Sequence, residues 1–116
     1  MMGKKDLDEE FARFEPGSGN VFADLGFPNP EEALAKAGLA QAISETIERR
    51  RLTQEEAGRI MGLDQPKVSA IVRGRLSGFT QDRLTRCVLS LGDDVEITVR
   101  RPASYTEAGR LAVTLA

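Results

Sequence analysis

The stretch LTQEEAGRIMGLDQPKVSAIVRG, from Leu52 to Gly74, decides the fold. Thr53 and Glu56 stand at capping-box spacing, where a threonine hydroxyl and a glutamate satisfy each other's backbone N–H groups at a helix start. Leu52 sits where a hydrophobic staple to Ala57 would form. Ala57, Ile60 and Met61 give the short helix that follows an inward face. Gly62 ends it, because glycine tolerates the left-handed conformation beyond a helix end. Only Leu63 intervenes before Asp64, which reads as a second cap. Gln65 and Pro66 then occupy a first helical turn, where proline's missing N–H costs nothing. Val68, Ile71 and Val72 share one face of this second helix. Gln65, Lys67, Ser69, Ala70 and Arg73 lie outside it or at its margin, and Gly74 closes the helix.

Two short helices joined by a glycine-containing turn of three or four residues form a helix-turn-helix. Ala57 supplies the small residue needed where such helices cross, and Val68 and Ile71 anchor the second helix on the first. With that stripe turned inward, the opposite side of residues 65–73 is free for base edges in a DNA major groove.

Outward from this motif, the charge is unevenly spread. The 116 residues carry a net charge of −2, which alone argues against a nucleic-acid partner. However, residues 47–87 hold nine Lys/Arg against five Asp/Glu, while residues 1–46 hold four against nine and residues 88–116 three against four. A basic middle between acidic flanks suits a DNA-reading core with separate appendages. One cysteine and no histidine leave no set of residues for a transition-metal site and no histidine general base. No nucleophile–base pair is evident, so an enzyme is not expected, nor is a cofactor. No apolar run approaches the roughly 20 residues that span a bilayer. Lys4 and Lys5 lead into acidic residues rather than the apolar run of a signal peptide, so a cytoplasmic protein without a membrane partner is expected.

Residues 1–20 end in the breaker cluster Glu15-Pro16-Gly17-Ser18-Gly19-Asn20 and read as a flexible acidic tail; a helix over Asp6–Phe14 is too short to stand alone. Val21, Phe22, Leu25 and Phe27 suggest an arm packed on the core. Asn29, Pro30, Glu31 and Glu32 open a long helix, with the cap, the proline and the acidic first turn all in place. It continues through Leu34, Leu39, Ile43 and Ile47 toward Arg51, with Gly38 a candidate break. Arg49-Arg50-Arg51 reads as a solvated helix end. A last helix runs from Thr80 to Gly92, with Phe79 stapling Leu84 and with Leu84, Cys87, Val88 and Leu91 inward. Cys87 is at core spacing.

The segment Leu52–Ala57 followed by Met61–Ser69 resembles the helix-turn-helix of the Cro/phage-repressor (Xre) family over about 23 ungapped residues. That resemblance implies a phage-repressor-like five-helix bundle. It also implies that Gln54 bonds a phosphate and buttresses Gln65, and that Gln65 reads a base. Glutamine chemistry agrees, since a glutamine bonds adenine through N6 and N7 in a bidentate pair. Lys67 reaches guanine or a phosphate, Ser69 and Ala70 permit close approach, and Arg73 and Arg75 suit phosphates. Pro66 offers only apolar contact. More loosely, Asn20–Gly26, the helix through Lys36, Ser77–Thr80, Asp82–Leu84 and Val95–Ile97 look like small Xre regulators of the HigA antitoxin branch. That branch implies a toxin partner, a RelE-like ribonuclease, beside double-stranded DNA.

Beyond Gly92, Val95-Glu96-Ile97-Thr98-Val99-Arg100 alternates strictly, the pattern of a strand with one buried face. A single strand is unstable alone. Residues 93–101 are therefore expected to form a C-terminal β-strand, paired with its equivalent in a homodimer or with the amino-terminal arm. Residues 102–116 are expected to be a mostly loose tail. The expected organisation is a tail (1–20), a helical domain (21–92) with the helix-turn-helix at 52–74, a strand (93–101) and a tail (102–116).

Overall fold

The computed structural model describes residues 29–116. Its first helix, α1 (Pro30–Arg49), starts as its sequence demands: the Asn29 side chain accepts from the N–H groups of Glu31 (2.8 Å) and Glu32 (3.2 Å) ahead of Pro30. It buries Ala35, Leu39, Ala40, Ile43, Thr46 and Ile47 along one stripe. Leu34 falls off that stripe and is 71% exposed. Nor does Gly38 break the helix, which runs through it unbroken. Past Arg49 the chain turns through Arg51, held left-handed at φ 56, and the Leu52 N–H returns to the Ile47 carbonyl at 2.9 Å.

Helices α2 (Gln54–Met61) and α3 (Gln65–Val72) follow, and α4 (Gln81–Ser90) begins where Thr80 Oγ1 accepts from the Arg83 N–H at 3.0 Å. α4 packs on α1 and α2, α3 packs on α1 and α2, and together they enclose an aliphatic core. Ile43, Val68, Ile71, Leu84 and Leu91 are its largest fully buried members, with Ala57, Phe79, Cys87 and Val88 around them. The far end of α4 is tied to α1 by polar contacts. Thr46 Oγ1 bonds Asp93 Oδ2, and the Arg50 guanidinium donates to the Leu91 carbonyl at 2.9 Å.

Two expectations require correction. The described residues hold four helices, not five: Gly38 divides nothing, and the segment 6–14 lies outside the described residues, as do the expected tail 1–20 and the arm 21–27. The C-terminal β-strand is also missing among the described residues, since 93–101 have no regular secondary structure. Val95 packs against the core, but Ile97 and Val99 are 88% and 78% exposed. The alternation is real, yet no described segment lies alongside to take the strand's backbone hydrogen bonds, and one unpaired strand has no ladder.

The last residues are irregular but not wholly loose. Val113 packs on α1 at Gly38, where a Cβ would come within 3.0 Å of its side chain. The Leu111 N–H points at Glu31 Oε1, 3.4 Å away.

Candidate nucleic-acid interface

The geometry of α2 and α3 follows from their caps. Thr53 Oγ1 accepts from the Glu56 N–H (3.0 Å) while Glu56 Oε1 accepts from the Thr53 N–H (2.8 Å), closing the box and starting α2 at Gln54. The bond from Thr53 holds the Glu56 carboxyl below the ordinary glutamate range. Gly62 adopts φ 74 after α2, and the Leu63 N–H returns to the Gly58 carbonyl at 2.8 Å. Asp64 Oδ1 then accepts from the Lys67 N–H at 3.1 Å and starts α3 at Gln65.

The crossing of α2 and α3 needs two small residues rather than one. Ala57 is fully buried there, as expected. Gly58 is buried too, and a Cβ on it would run into the Leu63 carbonyl oxygen and lie 3.3 Å from Val68 Cγ2. The Gly58 requirement escaped sequence reading, because glycine within a helix usually signals only a propensity loss. Its one sequence signal is its place four residues before the cap Gly62, where the turn must fold back.

With Val68 and Ile71 buried, the opposite side of α3 is solvent-facing: Gln65, Pro66 and Lys67 are exposed, and Ser69 and Ala70 are half-buried. Gln54 and Gln65 are brought together, the Gln65 amide donating to Gln54 Oε1 at 3.5 Å, a long and adjustable contact. Lys67 Nζ lies 3.5 Å from Asp64 Oδ2 in an exposed pair, worth little energetically and easily surrendered. Arg73 is the C-cap of α3, its N–H bonded to the Ser69 carbonyl at 3.0 Å, and the Arg75 N–H bonds the Ala70 carbonyl at 2.8 Å. Both backbones are thereby held while both side chains extend into solvent. Among the described residues neither guanidinium pairs with a carboxylate. All eight residues singled out from the sequence (Gln54, Gln65, Pro66, Lys67, Ser69, Ala70, Arg73 and Arg75) therefore belong to one continuous stretch from the start of α2 to the loop after α3.

Ile60, expected on the inward face of α2, is 36% exposed, and Val72 likewise departs from expectation at 41%. Val72 borders a cleft of about 350 Å³ between α1 and the end of α3, lined by Ala37, Ala40, Gln41, Ser44, Ile71 and Arg73 among others. The three arginines after α1 also separate. Arg50 is committed to the α4 terminus through Leu91, while Arg49 and Arg51 remain exposed. Cys87 lies in the core, where burial pushes its thiol pKa up.

Such a frame, with two capped helices crossing at small residues and a polar, cationic outer face, is what insertion into a DNA major groove requires. The described residues contain no cluster of three or more potential metal ligands, and no helix long and apolar enough to cross a membrane. Comparison with known proteins agrees with the geometry. A family described as a helix-turn-helix domain matches residues 21–100. A solved structure named as an XRE family transcriptional regulator superposes with a TM-score of 0.69 at 39% identity, covering 77% of this chain and 100% of the other. No curated protein matches.

Proposed function

Because the chain belongs to the helix-turn-helix domain family, within the XRE type, and is thereby a DNA-binding transcriptional regulator, we propose that it is a repressor that acts without enzymatic chemistry. It binds a partly palindromic operator as a homodimer, its two α3 helices entering major grooves one helical turn, roughly 34 Å, apart. Gln65 reads a base while Gln54 holds a phosphate and steadies Gln65. Lys67, Ser69, Ala70 and Pro66 complete the base-facing surface, and Arg73 and Arg75 hold phosphates. The dimer forms by antiparallel pairing of residues 94–101 across the two-fold axis. Its place of action is the cytoplasm.

The observation that carries this reading is the Gln54–Gln65 contact on an outer face otherwise free of structural duty. A lone exposed glutamine has no reason to meet another across a turn. The contact lets Gln54 orient the Gln65 amide, which can then bond adenine in a bidentate pair. The test is fluorescence anisotropy on the gene's own upstream region and on scrambled duplex. Gln65→Ala should weaken operator binding by about 1–3 kcal/mol, roughly 5- to 150-fold, and leave scrambled-duplex binding nearly unchanged. Equal losses on both duplexes would remove Gln65 from base reading.

A second reading is supported by the acidic first 46 residues. They suit a cationic protein partner, and the chain would then be an antitoxin of the HigA type that neutralises a basic ribonuclease toxin and represses their shared operon. Protection of ribosome-bound mRNA in a mixture with the neighbouring gene's product separates the two readings.

A further inference from the structure

The four helices of the described residues all end on a left-handed residue: Arg51 after α1 (φ 56), Gly62 after α2 (φ 74), Gly74 after α3 (φ 79) and Gly92 after α4 (φ 109). The turns after α1, α3 and α4 are closed by the same pair of main-chain bonds. Gly74 returns its N–H to Ile71 and Gly92 to Leu89, while the residues after them, Arg75 and Asp93, reach back to Ala70 and Val88. After α1 the Arg51 N–H returns to the Glu48 carbonyl at 3.0 Å and the Leu52 N–H to Ile47 at 2.9 Å. This is the Schellman end, whose left-handed position is ordinarily glycine.

Lack of room does not explain the three glycines, because a Cβ on Gly62, Gly74 or Gly92 would meet nothing within 4 Å. Conformation does: a left-handed backbone crowds the Cβ of any other residue against the following carbonyl. The turn after α1 makes the same demand and has an arginine, the one non-glycine residue at positive φ among the described residues.

The fold does not use that side chain. Arg51 is exposed and joins none of the ion pairs among the described residues. Nor does the end of α1 need a third cation for its dipole. Arg49 already lies in the last turn, and Arg50 bonds the Leu91 carbonyl. What Arg51 does have is position. It stands three residues, at most about 10 Å of chain, before Gln54, which starts α2 and meets Gln65 at the start of α3. A costly backbone conformation kept at an exposed residue beside a binding face points to function.

We infer that Arg51 is a phosphate-binding residue, its guanidinium gripping the DNA backbone on the α2 side of the groove that α3 enters. The inference rests on the DNA-binding mode proposed above. A guanidinium holds phosphate oxygens through paired, charge-assisted bonds, and such a contact strengthens binding without reading sequence.

The test replaces Arg51 by glycine, which the turn prefers, by asparagine, which tolerates the turn without charge, and by lysine, which keeps the charge. Anisotropy on the upstream duplex and on scrambled duplex is read across a salt series, with circular dichroism checking the fold. Arg51→Gly and Arg51→Asn should bind both duplexes about fivefold more weakly at roughly 0.15 M salt for each Arg51 engaged. The slope of log affinity against log salt should fall by about 0.9 for each. Arg51→Lys should keep the slope and most of the affinity. Arg51→Gly should also melt at a higher temperature than the parent, because the crowded Cβ is gone. A more stable protein that binds DNA more weakly supports the assignment. Unchanged affinity and slope in Arg51→Gly overturn it, whatever the melting temperature. A parent chain that binds neither duplex overturns the DNA-binding mode and this contact together, whereas a parent that binds and an Arg51→Gly chain that matches it overturn the contact alone.

Discussion

Replacing Gly58 by alanine is the sharpest test of the helix crossing, because two effects of opposite sign compete there. By intrinsic propensity the change favours α2 by about 1 kcal/mol, since glycine in a helix interior is that much worse than alanine. Against this, the new Cβ would overlap the Leu63 carbonyl oxygen and lie 3.3 Å from Val68 Cγ2. The carbonyl is backbone, and the same peptide segment is drawn onto Gly58 by the bond from the Leu63 N–H at 2.8 Å. Relief therefore requires moving the turn, which carries Asp64 and the start of α3. Overpacking of a closed site costs about 1–3 kcal/mol, and this one is at the upper end because no flexible side-chain tip can yield. The net expectation is a loss of about 1–2 kcal/mol, with Tm falling by roughly 4–8 °C for each of them. Urea denaturation followed by circular dichroism reads it directly. Operator affinity of the folded fraction should fall as well, because Gln65 no longer meets Gln54. A variant more stable than the parent, by the full propensity gain, would refute the close approach and with it the packing that aims α3 outward.

Other outcomes follow from the same contacts. Arg73→Ala should weaken operator and scrambled duplex alike and reduce the slope of log affinity against log salt by about one; an unchanged slope would take Arg73 off the phosphate backbone. Glu56, held below its ordinary pKa of 4.5 by the Thr53 N–H, stabilises the fold above its unfolded value, and that contribution is lost as pH falls through the lower folded value. Glu56→Gln should therefore flatten the acid side of the stability curve below about pH 5, and an unaltered acid limb in urea titrations would contradict this. Cys87, its thiol raised by burial, should resist iodoacetamide in the native protein at pH 8 and react fully in urea; native labelling at the denatured rate would place it outside the core.

Chain-local chemistry made most of the interface legible in the sequence. Asn29, Thr53, Asp64 and Thr80 each announce a helix start, because a cap bonds N–H groups only two or three residues away. Gly62 marks the reversal for the same reason. Once two helices and their inward stripes are known, the residues left on the outer side of α3 follow, whereas Gln54 lies on α2 and was singled out through the family resemblance. The inward stripes were less secure at their edges. Ile60 and Val72 are apolar residues that the pattern turns inward and the bundle leaves uncovered, since coverage depends on where neighbouring helices end.

What the chain alone settled, then, is where helices begin, where they turn, and which side of α3 is polar, all matters of contact within one or two turns. What only the tertiary structure decided depends on residues far apart in sequence. Arg50 finds the Leu91 carbonyl, Thr46 finds Asp93, and Leu111 finds Glu31. Gly38 is tolerated in mid-helix because Val113 fills the space, and Gly58 is required because Leu63 presses on it. The alternation at 95–100 shows why such pairs cannot be read locally: a strand pattern states that a partner is needed, while its hydrogen bonds exist only where another backbone supplies them.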